Sequence, residues 1–116
     1  MSKVPKYKIK SRIWITTDEG TFLGAGRITL LEAIETYGSI SKAAKSMKMS
    51  YKKAWGLVNS INSQSKEPIV RPITGGKNGG GSSVSEAGKK AILLFKKLDE
   101  ENRMLKTMVD KVIGSG

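Results

Sequence analysis

The sequence predicts an α+β fold that is mainly α, and three observations carry that expectation. An alternation of apolar and polar residues over 7–17 predicts a strand with one covered face. Between Arg27 and Ile61 apolar residues recur at helical spacing in three stretches, separated at Gly38 and at Lys48-Met49. From Ser85 a fourth helical pattern runs almost to the last residue. At 116 residues the chain has the size of a single domain. It is expected to comprise an N-terminal β-hairpin over 1–25, three helices and a second hairpin over 26–85, and a long helix over 86–113.

In YKIKSRIWITT, residues 7–17, Ile9, Ile13 and Ile15 share one parity, and Trp14 falls on the other. Asp18-Glu19-Gly20 supplies turn chemistry, and Thr21-Phe22-Leu23 returns as the second strand. From Arg27 the period becomes helical, with Ile28, Leu31, Ala33, Ile34 and Tyr37 facing inward and Gly38 as the stop. Gly24-Ala25-Gly26 is a flexible entry and not a dinucleotide loop, because the third glycine and a preceding parallel strand are missing. Ser41 is expected to cap the second helix, whose small Ala43 and Ala44 let a neighbouring helix approach, with Met47 inside. Lys48-Met49 turns the chain, and Ser50 caps a third helix with Ala54, Leu57, Val58 and Ile61 inward. Helical geometry, about 100° per residue, then leaves Tyr51, Lys52, Trp55 and Asn59 at the outside or its margin. Two helices joined by so short a turn form a helix-turn-helix pattern.

The β-branched run from Pro68 to Thr74 predicts a strand, which its prolines confine to an edge. GGKNGGG, residues 75–81, is the hairpin tip, and Ser82 to Ser85 lead back. A phosphate-binding P-loop is excluded, since Lys77 is followed by Asn78. Such a hairpin after a helix-turn-helix makes a wing, so the full expectation is a winged helix-turn-helix. Ser85 caps the last helix with Glu86 in its first turn. Along that helix Ala91, Leu94, Leu98, Leu105, Met108 and Val112 recur at three- and four-residue spacing, broken by Glu101. This is a coiled-coil seam and predicts a homodimer, to which Phe95 is also assigned.

Composition restricts the function. With no cysteine and no histidine, thiolate chemistry, disulfides, imidazole bases and most transition-metal sites are excluded. No paired carboxylates, activated nucleophile or cofactor loop assemble, so the chain is not expected to be an enzyme and no cofactor is expected. No apolar run is long enough to span a bilayer, and MSKVPKYKIKSR lacks the apolar core of a secretory signal. The cytoplasm, with association to the nucleoid, is the expected location, and no membrane partner is expected. The formal charge is +11. Counted by segment it is +5 over 1–17, −3 over 18–38, +7 over 39–81 and +2 over 82–116. The excess lies in the N-terminal arm and the middle, which points to a polyanion, and double-stranded DNA is the expected partner.

The stretches Gly26-Arg27 with Leu30-Leu31-Glu32, GSISKAAK (38–45), SYKKAW (50–55), the Asn62 region, TGGKNGGGSS (74–83) and SEAGKK (85–90) resemble the N-terminal DNA-binding domain of the ModE family, the molybdate-responsive transcription regulators related to LysR-type winged helix-turn-helix proteins. The resemblance covers roughly residues 24–110, and SYKxAW combined with a GGKxGGG wing is its most specific part. It implies a sequence-specific transcriptional regulator acting as a dimer on an inverted repeat. Lys48 stands where helix-turn-helix proteins often carry glycine, which requires a lysine in the left-handed conformation. Full-length members carry molybdate-binding modules after the long helix; this sequence ends at Gly116, so molybdate responsiveness is not carried over and no small-molecule ligand is expected.

On this reading Ser50, Tyr51, Lys52 and Lys53 open the helix that enters the major groove, with Asn59 further along it. Ser41, Lys42 and Lys45 hold phosphates from the second helix. On the wing, Arg71, Thr74 and Lys77 grip the flanking backbone or minor groove, while Gly75, Gly76, Gly79, Gly80 and Gly81 let the main chain come close. The rival expectation is a nonspecific, nucleoid-type DNA binder, or an accessory module that heterodimerises with a larger regulator.

Overall fold

The computed structural model describes residues 7–74 and 80–114. Among them the order of elements is β1 (Ile15–Thr17), β2 (Gly20–Leu23), α1 (Ala25–Tyr37), α2 (Ile40–Ser46), α3 (Tyr51–Ser63), β3 (Val70–Ile73), β4 (Gly81–Val84) and α4 (Glu86–Val109), with a π-helical turn at Asp110–Gly114. The strands form two separate antiparallel pairs, β1–β2 and β3–β4.

The first strand is much shorter than the alternation predicts. Burial does alternate from Ile9 to Ile15, with Ile13 and Ile15 against the core and Trp14 exposed. The ladder, however, joins only Ile15, Thr16 and Thr17 to Leu23, Thr21 and Gly20. A strand needs backbone partners as well as parity, and β2 is too short to offer more. The preceding segment is tied elsewhere: the Ser11 hydroxyl donates to Asn102 Oδ1 of α4 at 2.6 Å.

α1 starts two residues before Arg27, at Ala25, and buries Ile28, Leu30, Leu31 and Ile34. Leu30, which the helical period passed over, is fully buried, while Tyr37, expected inside, is exposed. The reason is that α1 is covered on two sides, by α2 and by α4 with β4, so its apolar arc is wider than one stripe. Gly38 ends it at φ 75° and donates its N–H to the Ile34 carbonyl.

The second helix is capped by Ser39 and not by Ser41: Ser39 Oγ accepts from the Lys42 amide at 3.0 Å. Ser41 instead lies inside the first turn and is exposed. Ala43 and Ala44 are buried as expected, and the turn over 47–50 takes Lys48 through φ 54°. Met49, half-buried against the core, donates its amide to the Ala44 carbonyl at 2.9 Å. Ser50 caps α3, accepting from the Lys53 amide at 3.1 Å, and Ala54, Val58 and Ile61 go inward with Leu57 half-buried.

One side chain fixes the second hairpin to the helices. Asn62 Nδ2 donates to the Val70 carbonyl at 3.0 Å, and Asn62 Oδ1 accepts from the amides of Ile69 and Val70 at 2.8 and 3.0 Å. The amide group thus behaves as one more strand residue beside β3. On the other side, the Ser82 amide of β4 donates to the Gly38 carbonyl at 2.8 Å. Residue 81 is glycine because a Cβ there would stand 2.5 Å from that same carbonyl oxygen. The close approach that Gly81 permits within the chain is to the Gly38 carbonyl at the C-terminus of α1.

Leu23, Leu30, Leu31, Ile34 and Ile61 form the most buried part of the core, each contributing about 1.5–3 kcal/mol by its removal from water. α4 closes that core with Ile92 and Phe95. Phe95, expected at a dimer face, is a core residue of its own chain, and Ala91 packs half-buried beside it. The distal part of α4 leaves the core: the radius of gyration is 18.4 Å, against about 13 Å for a compact chain of this length, and the longest extent is 68 Å. Leu105 and Met108 are exposed there, as is Val112 in the π-helical turn, while nearer the core Leu94 is exposed and Leu98 half-buried.

Candidate nucleic-acid interface

The segment from the start of α2 to just past the end of α3 gathers the charge. Lys42, Lys45, Lys48, Lys52, Lys53 and Lys66 lie between residues 39 and 66, a stretch without a single Asp or Glu. All six side chains are exposed, and among the described residues none forms an ion pair. Acidic groups of α1 are turned away from this face. Glu32 pairs with Lys96 of α4 at 2.6 Å, and that hydrogen bond and charge, with a smaller contribution from Glu35, hold the Lys96 ammonium above the usual lysine range. The result is a cationic face with no internal counter-charge, while the acids face α4.

Residue placement on α3 is specific. Lys52, Gly56 and Asn59 point most directly away from the core stripe of Ala54, Val58 and Ile61. Tyr51 and Trp55 occupy the flank nearer the β3–β4 hairpin and are 55% and 52% exposed. Lys53 is on the other flank, lining a hollow of about 290 Å³ with Trp14, Arg27, Met47, Met49 and Leu57. Ser41, Lys42 and Lys45 are exposed along α2. Ser50 is exposed as well, but one lone pair of its hydroxyl is committed to the cap.

The α3 helix is held rigidly behind this face. Arg27 Nη1 donates to Ser60 Oγ at 3.0 Å, and partial burial lowers the Arg27 pKa from its ordinary value without removing the charge. Gln64 Nε2 donates to the Thr21 carbonyl at 2.8 Å and, in turn, Gln64 Oε1 accepts from the Thr17 hydroxyl. The first hairpin thus braces the far end of α3.

On the second hairpin, Arg71 and Thr74 are exposed. The register pairs Arg71 with Ser83 and Pro72 with Ser82, so strand alternation puts Arg71 on the opposite face from Pro72 and Ser82. Those two residues, with Ile40, Trp55, Val58 and Asn59, line a cleft of about 210 Å³ between α3 and the hairpin. Arg71 is therefore not brought onto α3's side. Gly80 is exposed beside the tip, and the calls on Gly75, Gly76, Lys77 and Gly79 lie outside the described residues.

Two residues gain weight here that the sequence did not single out as contacts. Trp55, read only as lying at the outside or its margin, is exposed beside the cationic face. Gly56 stands mid-helix on the outermost line of α3, where a Cβ would meet nothing within 4 Å. A helix-interior glycine costs roughly 0.5–1 kcal/mol relative to alanine, and no packing in the chain requires it. That mismatch between propensity and position was the available signal.

No family model matches the chain. The chain is 41% identical over 91 residues to the "Molybdenum transport protein ModE" of Azotobacter vinelandii, covering 78% of this chain and 34% of that protein. It is 42% identical over 74 residues to the "DNA-binding transcriptional dual regulator ModE" of Escherichia coli K12, covering 64% and 28%. It is 42% identical over 73 residues to the "Molybdenum-pterin-binding protein MopA" of Rhodobacter capsulatus, covering 63% and 28%. The chain thus spans about a third of the length of the curated relatives it matches.

Proposed function

We propose that this chain is a DNA-binding module of the ModE type, a winged helix-turn-helix in which α2 and α3 are the paired helices and β3–β4 the wing. The observation that carries the reading is the acid-free face of α2 and α3, whose exposed lysines have no internal counter-charge while α3 offers its first turn outward. A relative of about 40% identity that bears the name of a DNA-binding transcriptional regulator supports it. α3 enters the major groove with Tyr51 and Lys52 leading, which reads base edges, while Lys42, Lys45 and Lys53 contact phosphates. Thr74 and Lys77 on the wing hold the flanking backbone. Gly56 lets the helix axis approach the groove floor. Transcription regulation in the cytoplasm follows as the role.

Selection of bound duplexes from a random pool, read by sequencing, tests this: an enriched motif is expected, whereas unselective retention of all sequences supports the nonspecific binder. Division of labour is tested on the motif itself. Tyr51→Ala or Lys52→Ala is expected to cost about 1–3 kcal/mol on the selected site and little on random DNA, while Lys77→Ala weakens both alike. Equal losses on both substrates for all three variants reject the assignment.

The dimer is part of the same proposal. Leu94, Leu98, Leu105, Met108 and Val112 form a seam along α4 and the turn that follows it, more apolar edge than this chain covers. Pairing two chains there sets two α3 helices one helical turn, about 34 Å, or a multiple apart on an inverted repeat. Sedimentation equilibrium at tens of micromolar is expected to show a dimer that Leu105→Glu converts to monomer; monomer alone for the unaltered chain removes the inverted repeat.

A further inference from the structure

We propose that the cleft between α3 and the β3–β4 hairpin seats one deoxyribose–phosphate unit of the DNA strand, with Trp55 covering the sugar and Asn59 and Ser82 donating to its phosphate. The inference rests on the DNA-binding reading above and adds a site to it. Its starting point is the wall composition. Ile40, Val58 and Pro72 give an apolar floor, while Trp55, Asn59 and Ser82 supply polar groups at the cleft, and no carboxylate lines it. The indole N–H, the Asn59 amide and the Ser82 hydroxyl can all donate. Among the described residues none of these three side chains makes an intramolecular hydrogen bond. Three unspent donors over an apolar floor, beside a face of unpaired lysines, complement a group that is apolar on one side and anionic on the other.

Geometry selects the occupant. A major groove is about 12 Å wide and bounded by two phosphate backbones, and a single α-helix fills it. Whatever flanks that helix outside the groove must straddle one backbone. The hairpin flanks α3 on the Trp55 side, because Pro72 and Ser82 line the cleft with Trp55. The strand therefore runs through this cleft, its sugar meeting the indole and proline faces. Half of the Trp55 surface stays exposed in the free protein, and the seated sugar removes that apolar surface from water.

The test uses the full chain and a duplex recovered by selection. Trp55→Ala is expected to weaken binding about tenfold, and Trp55→Phe, which keeps a flat apolar face, less. A scan placing one neutral methylphosphonate at a time along each strand then locates the phosphate. Asn59→Ala and Ser82→Ala are expected to cost affinity on the natural backbone, and to cost nothing further on the one duplex neutralised at that linkage. In a Trp14→Phe background, leaving Trp55 as the sole tryptophan, DNA should shift the emission to the blue. Full affinity for Trp55→Ala, or additive losses at every linkage, overturns the cleft while leaving DNA binding intact. A chain that retains no duplex at all overturns the parent reading, and the cleft with it.

Discussion

Replacing Asn62 by alanine is expected to lower the free energy of unfolding by about 3 kcal/mol, measured by urea denaturation. The substitution removes three hydrogen bonds in one step, one donated to the Val70 carbonyl and two accepted from the Ile69 and Val70 amides. Ile69 and Val70 are nearly fully buried, 3% and 5% exposed. Water cannot readily replace the lost partners there. A buried amide left without an acceptor costs about 1–3 kcal/mol, so the two orphaned amides dominate and the lost donor adds less. Asn62→Asp separates these contributions. It keeps an acceptor oxygen toward both amides but turns a carboxylate oxygen in place of the donor onto the Val70 carbonyl, so a loss smaller than that of the alanine variant is expected. An alanine variant as stable as the parent would sink the idea that this side chain fixes the hairpin. Because the hairpin carries Pro72 and Ser82, the alanine variant should also bind duplex DNA more weakly under conditions where it is still folded.

The second large effect is on binding. Raising salt from 50 to 200 mM is expected to reduce affinity for duplex DNA on the order of a thousandfold, with log K falling linearly against log salt. The cations proposed at the interface are Lys42, Lys45, Lys52, Lys53 and Lys77, with Arg71 expected there from the sequence, and each phosphate neutralised contributes roughly −0.9 to the slope. Because none of the described ones forms an ion pair within the chain, no internal contact has to be broken before DNA is met. Arg71 is the informative member. It lies across the hairpin from the cleft, so Arg71→Ala should flatten the slope by about one only if the wing wraps far enough for its outer face to reach a backbone. A slope shallower than about −2 for the whole chain would show that the acid-free face is not what meets DNA.

Much of the fold could be read from residue order because the decisive forces were local. Ser50 and Ser85 cap α3 and α4 as read, since a cap needs only a hydroxyl three residues before the amide that it satisfies. Lys48 in the left-handed region was legible only through the resemblance, which often puts glycine at that place in the turn. The misses are the long-range ones. Ser39 and Ser41 are both good caps, and the choice of Ser39 depends on where Gly38 releases the chain to pack Ala43 and Ala44. Leu30 is fully buried because α1 is enclosed by two neighbours, which a single-stripe period cannot express. Phe95 reads as part of a seam, yet it sits where α4 still crosses the core. Asn62 entered only as part of a resembling stretch, and its role was not legible there because it is set by a segment that arrives seven residues later. In the candidate interface, the positions along α3 followed from helical geometry. What alternation and register decided, the separation of Arg71 from the Trp55 side, required the strand pairing.

The hydrogen bond from the Ser82 amide to the Gly38 carbonyl has one further effect. It welds the tip-side half of the second hairpin to the corner at which α1 hands over to α2, while Asn62 welds the base of the same hairpin to α3. Two independent rivets on opposite strands leave no hinge between the reading helix and the arm beside it. The tool arrives already set to the width of its workpiece, so recognition spends little free energy on ordering the protein, and adaptation falls to the DNA. Sites whose steps bend easily between the two contact points are the ones such a bracket would favour, even at bases that no side chain touches.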